Sequence, residues 1–335
     1  MPKQNESSKD AVLNFLMNNA VIILLVAASI AVGIMRPTFF SVYNAKNLIS
    51  NTAVRFIIAL GVSGCLISKG TDLSAGRAVG LAACLAATFL QRADYTGKVY
   101  PNIGDINIAV VLLGIIVVIT IFGVFNGIII AYLKVPPFIT TLGTQTIIYG
   151  ICLVFTGAQP IGGLRADYTD IASGSIFGVT YLPYLGLIAA ICGFIMWFTY
   201  NKTSHGKYMY AIGGNESAAE VSGINTKATK IIIYATAGLL YGIAGFLLGA
   251  KAGGTSVNAG FGYELEAIAG CTIGGVSTNG GVGRISGILV GVLVFELLKI
   301  AMVFMGVEPS YTYIVQGLVI VTAVAIDMRK YAAKK

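Results

Sequence analysis

Two acidic positions stand in apolar surroundings that offer a carboxylate little water. Asp72, with Ser74 beside it, lies in "GTDLSAG" (70–76), and Glu264, with Glu266, lies in "GYELEAIAG" (262–270). Both stretches read Gly-x-acid-Leu. A carboxylate in such a setting faces protein, water or a partner, and commonly marks a polar route. The same groups serve equally as caps for helix ends, where Asp, Glu and Ser satisfy free backbone N–H groups. A second polar set lies in "FNGIIIAYLKVPPFITTLGT" (125–144), which carries Asn126, Thr140, Thr141 and Thr144. These side chains could line a passage for a hydroxylated solute, or tie helices together by hydrogen bonds. Glu296 and Lys299 sit three apart, a spacing that lets them neutralise each other on one helix face.

Other chemistries find no support. The glycine-rich "IGGVSTNGGVGRISG" (273–287) lacks the Gly-Lys-Ser/Thr of a phosphate loop. His205 is the single histidine, and no nucleophilic triad or metal-hydrolase set builds around it. No catalytic residue and no metal ligand is therefore assigned. The cysteines, Cys65, Cys84, Cys152, Cys192 and Cys271, all fall in apolar runs without metal spacing, where cysteine acts as a small hydrophobe.

The elements that must position these groups are set by composition. Of 335 residues, 56% are hydrophobic and only 11% charged, and mean hydropathy is +0.83. Soluble domains carry about a quarter charged residues. The apolar runs are continuous rather than alternating, so membrane helices are expected, each needing roughly 20 residues to span. Ten segments are predicted: 19–35, 53–68, 77–90, 106–132, 138–156, 182–200, 231–250, 263–277, 285–305 and 311–327. The third and eighth are short and glycine-rich. The polar opening "MPKQNESSKD" precedes a retained first span rather than a cleaved signal. With the N-terminus inside, fourteen Lys/Arg fall on cytoplasmic loops and seven outside, with Lys299 left in a span of the 22 in all. This bias predicts both termini in the cytoplasm and accounts for the net charge of +8 without nucleic acid.

The two Gly-x-acid-Leu stretches close spans two and seven, corresponding places in two five-span halves. An odd number of spans per half makes the halves inverted, and paired, glycine-broken helices point to a transport pathway near the midplane. The expectation is an all-α polytopic membrane protein, one transmembrane permease domain over 1–335 with inverted halves. Residues 201–230 form a cytoplasmic loop within it. There Asn215 is placed to cap a short helix bearing Glu216 and Glu220, and Gly223 to turn the chain out of it.

In that loop Glu216, Ala218, Ala219 and Gly223 fit the Glu-Ala-Ala…Gly segment of ABC importer permeases, with Ser217 intruding as in the sugar branch. "GTDLSAGRAVGLAA", "FNGIIIAYLKVPPFITTLGT", "GKYMYAIGGNESAAEVSGIN" and "YELEAIAGCTIGGVSTNGGVG" resemble the ribose/galactoside group of ABC sugar permeases over nearly the whole chain. The resemblance implies a monosaccharide substrate, galactose or a methyl-galactoside ahead of ribose or xylose. It implies a homodimer of permease chains in the bacterial inner membrane and a periplasmic or lipid-anchored sugar-binding protein. A cytoplasmic ATPase would bind ATP and Mg and grip the 211–225 helix; this chain itself would hold no cofactor. The rival reading is an ion-coupled secondary sugar transporter, with Asp72, Glu264 and the Glu296–Lys299 pair carrying the ion.

Overall fold

The computed structural model describes residues 20–332, so the opening stretch 1–19 lies outside the described residues. Thirteen α-helices follow one another: α1 (Ala20–Met35), α2 (Val42–Ile67), α3 (Ala75–Phe89), α4 (Ile108–Tyr132), α5 (Pro137–Thr156), α6 (Ala166–Ser173), α7 (Tyr184–Lys202), α8 (Ser204–Gly214), α9 (Glu216–Val221), α10 (Thr226–Ala252), α11 (Tyr263–Ile273), α12 (Ile285–Phe304) and α13 (Pro309–Ala332). Each of the ten predicted segments coincides with a helix. Six of them, α2, α4, α5, α7, α10 and α12, are long and apolar enough to cross a membrane.

The helix starts are written in the local sequence. The Ser41 hydroxyl accepts from Asn44 N, Asn107 Oδ1 from Ala109 N, and Asn225 Oδ1 from Ala228 N. Pro137 opens α5, where its missing N–H costs nothing. Gly157 and Gly253 end α5 and α10 in the left-handed region that glycine enters without strain. The second helix departs from expectation. It starts at Val42, not 53, because the Ser41 cap carries a polar stretch, "VYNAKNLISN", that hydropathy reads as loop. Arg55, one of the seven cations assigned outside and the third residue of the predicted span 53–68, therefore lies in the middle of α2. Arg77, counted as an inner-loop cation, lies in the first turn of α3. One cation leaves each side, so the charge bias stands.

Two ends of the bundle can be told apart. At one, α6 meets the starts of α2 and α4: Lys46 Nζ donates to Ser173 O (2.6 Å) and Arg165 Nη1 to Ile106 O (2.8 Å). Arg165 also holds the Asp167 carboxyl below the usual carboxylate range through a side-chain hydrogen bond. At the other end, α8 meets the end of α2, with Gly213 against Ile67 O, and the loop before α12 joins them: Gly281 N donates to Ile67 O (2.8 Å), and Tyr210 Oη of α8 to Gly283 O (2.9 Å). Met328, near the end of α13, touches Asn279 at this same end (3.2 Å).

The packing repeats itself. α2 and α10 touch each other; α10 also packs on α3 and α4, and α2 on α11 and α12. α3 packs on α4 and α5, and α11 on α12 and α13. Exchanging α2 through α5 for α10 through α13 maps one set onto the other. α1 and α7 stand outside the exchange, since α1 packs on α12 and α7 on α2. The largest of these contacts is α4 on α10, where bare glycines let the backbones close. A Cβ on Gly123 would strike the carbonyl of Tyr234, and one on Gly238 that of Ile119.

The short helices α3 and α11 complete the pattern. Their starts meet: Gly76 of α3 lies against Gly260 and the Glu264 carboxylate, and Gly80 against Ala259. From that junction they run apart. α3 ends at the α6 end, where Gln91 bridges to Leu164, and α11 ends beside Gly287, at the α8–α9 end. Two half-length helices of opposite direction, starting inside the bundle, are what inverted halves with broken helices require.

Candidate functional site

Asp72 is the end point of a buried hydrogen-bond relay. Thr144 Oγ1 donates to Asn126 Oδ1 (2.6 Å), Asn126 Nδ2 to Ser74 Oγ (3.1 Å), and Ser74 Oγ to Asp72 Oδ1 (2.6 Å). Ser74 N donates to the same oxygen (2.9 Å), and Tyr241 Oη to Asp72 Oδ2 (3.1 Å). Thr141 accepts from Leu73 N (3.1 Å) and bonds Thr71 O (3.2 Å), fastening the 70–74 loop to α5. Asp72, Ser74, Asn126, Thr141 and Thr144 are all buried. Thr140 stays apart, bonded to Pro136 O at the cap of its own helix (3.3 Å). The relay joins α3, α4, α5 and α10 at the helix break. It brings together five residues singled out in the sequence and adds Tyr241, which sequence reasoning missed because a tyrosine in an apolar run looks like core.

Glu264 lies in the first turn of α11, whereas Asp72 precedes its helix, so the two acids share a place but not a conformation. One oxygen of Glu264, Oε2, is buried without a hydrogen-bond partner and lies against Gly76, in the first turn of α3. The free backbone N–H groups of that turn favour a carboxylate there.

Glu266 belongs to a separate ionic cluster. Arg55 Nε approaches Glu266 Oε2 (2.7 Å) and Glu296 Oε1 (2.5 Å). Lys299 Nζ approaches Glu266 Oε1 (2.9 Å) and Glu296 Oε1 (3.1 Å). The expected Glu296–Lys299 pair is thus one side of a balanced four-membered cluster linking α2, α11 and α12. Arg55 was missed as a member because, at the edge of the predicted span 53–68, it was counted with the outer loop.

The 201–230 segment holds two helices rather than one. Thr203 caps α8 by accepting from Gly206 N (3.2 Å), and Asn215 Oδ1 caps α9 by accepting from Ala218 N (3.1 Å). Glu216 at the start of α9 pairs with Lys230 (2.6 Å). Gly223 follows with φ +84°, a left-handed turn that suits glycine. Ala219 is buried, while Glu216, Ala218 and Glu220 are exposed and Val221 is 90% exposed. The helix is pinned on one side and presents an apolar knob among charges on the other.

Comparison with known proteins now decides the family. The family model described as "Branched-chain amino acid transport system / permease component" matches residues 44–324. The chain belongs to this permease family. The permease is 43% identical over 335 residues to the galactose/methyl galactoside import permease protein MglC of Escherichia coli K12, covering 98% of this chain and 99% of that one. It is 43% identical over 332 residues to the protein of the same name in Haemophilus influenzae, covering 98% of each. It is 36% identical over 306 residues to the ribose import permease protein RbsC of Bacillus subtilis, covering 90% of each. No solved structure matches the permease.

Proposed function

We propose that the permease is the membrane-spanning subunit of an ATP-driven importer. It carries a monosaccharide, galactose or a methyl-galactoside ahead of ribose or xylose, across the bacterial cytoplasmic membrane. The observation that carries this reading is the 43% identity to galactose/methyl galactoside import permeases over nearly the full length of both chains. The capped, exposed α9 supports it, because an importer whose energy comes from outside the chain needs a rigid docking point. A soluble ATPase, which binds ATP and Mg, grips α9; closure of the ATPase then moves α10 and the helices packed on it. Two permease chains pair, and a periplasmic or lipid-anchored binding protein delivers the sugar at the α6 end. The Lys/Arg bias supports an orientation with the α8–α9 end, and both chain termini, in the cytoplasm. In this scheme the Asp72 relay and the Glu264 junction set the shape of the helix break beside the route.

Uptake competition tests the substrate. Cells whose uptake depends on this chain and its binding protein take up labelled galactose, and unlabelled methyl-galactoside competes while ribose competes far less. Stronger competition by ribose would transfer the substrate assignment to ribose.

A further inference from the structure

The sugar needs open donors at membrane depth, and the buried relay around Asp72 has spent its own. Arg77 is placed differently. It lies twelve residues before the end of α3, hence about 18 Å inward from the α6 end at 1.5 Å per residue, against an apolar core about 30 Å thick. Its guanidinium stands 4.1 Å from the ring centroid of Tyr149 and 4.9 Å from that of Phe261. Nη1 donates to Val257 O (3.0 Å). Unlike Arg55 and Lys299, Arg77 forms no ion pair among the described residues. The Glu264 carboxylate lies within electrostatic reach of Arg77 but not in ion-pair contact with it, and a cation at this depth without a contacting anion is costly unless it faces water or a ligand.

The segment facing it is irregular backbone, 253–262, that begins at the α6 end and dips to the α3–α11 junction. Asn258 is exposed and Phe261 is 60% exposed. Non-helical backbone at membrane depth is tolerated only where protein covers it or water bathes it. An arginine beside it with no carboxylate in contact favours water.

The geometry points to a sugar-contacting surface made of Arg77, Tyr149, Asn258 and Phe261, facing a water-filled passage at mid-membrane depth. This rests on the importer reading above and names the place where its substrate touches the chain. The ligand class is a neutral pyranose or furanose. Its hydroxyls accept from the free N–H edge of the guanidinium and bond the Asn258 amide, and its C–H face lies on the aromatic rings. A neutral polyol needs no countercharge, which fits a cation whose neighbouring carboxylate, Glu264, makes no direct ion pair with it. Loop 70–74, tied down by the relay, holds Arg77 in register without touching sugar.

Two measurements test this. In membrane vesicles, Asn258→Cys and Phe261→Cys react with a charged, water-soluble thiosulfonate, whereas Val117→Cys on α4, 59% exposed, and the wild-type chain with its five buried thiols do not. In cells, Arg77→Lys keeps the charge but loses the planar fork, and lowers the maximal rate of galactose uptake by about tenfold, with normal amounts of chain in the membrane and normal ATPase binding. Phe261→Ala raises the sugar concentration needed for half-maximal uptake. Unreactive cysteines at both 258 and 261 would show that protein or lipid covers this face, and full transport by Arg77→Lys and Phe261→Ala would show that it does not meet the sugar; either result overturns the proposal. Failure of the importer reading looks different, since the wild-type chain would then carry no sugar, or would carry it without the ATPase.

Discussion

Every donor in the relay points toward Asp72, so the carboxylate is the one acceptor that lets Thr144, Asn126, Ser74 and Tyr241 all donate. Asp72→Ala strands the Ser74 and Tyr241 hydroxyls in a buried site, at about 1–3 kcal/mol for each unsatisfied group. The expected result is a clear fall in the thermal midpoint of the detergent-solubilised chain. Asp72→Asn keeps the oxygen facing Ser74 and turns an amide toward Tyr241, at a cost of about 1 kcal/mol. An unchanged midpoint in Asp72→Ala would remove the relay from the account. Loss of uptake by Asp72→Asn at an unchanged midpoint would assign the charge to transport instead. Asp72, Ser74, Asn126 and Thr141 were legible as polar groups in apolar runs. Their convergence was not, because the partners lie up to 169 residues apart in the chain. Arg77 was visible but was read as a loop charge, since its depth depends on the helix break and not on its neighbours in sequence.

At the scale of the element, α9 is too short to be stable by itself; its cap, the Glu216–Lys230 pair and buried Ala219 hold it in place. Gly223→Ala puts a Cβ at a left-handed φ, costing about 1 kcal/mol and tilting the exit from α9. Glu216→Lys sets two like charges against each other where the ion pair was. Both variants insert and pair normally, but in a pull-down they retain less ATPase, and in vesicles they stimulate its sugar-dependent hydrolysis less. Undiminished binding and stimulation by both would make α9 a plain solvated turn. The cap and the glycine were legible from "GGNESAAEVSG", because both act locally. Helix α8 was not, since its apolar positions pack on α2, α7 and α10 and show no clear period in eleven residues. The ten apolar segments were legible from hydropathy alone. The true start of α2 was not, because a single hydroxyl cap, Ser41, sets it.

At the scale of the molecule, α2 and α10 form a central pair around which α3–α5 and α11–α13 pack in matching fashion. The Gly-x-acid-Leu echo hinted at this plan, and the meeting of Gly76 with Gly260 and Glu264 gives it a physical centre. A bundle built this way can open alternately to either end by moving one half against the other. On the proposed orientation, an impermeant thiol reagent outside intact cells reaches Thr169→Cys at the α6 end and not Ser204→Cys. The central claim is that ATP hydrolysed by a separate subunit drives sugar through this chain. The most direct test is uptake of labelled galactose by cells carrying the permease, with the partner ATPase deleted or with ion gradients collapsed by an ionophore while ATP is maintained. The account predicts that uptake vanishes without the ATPase and survives the ionophore. Uptake that persists without the ATPase and collapses with the ion gradient would contradict it.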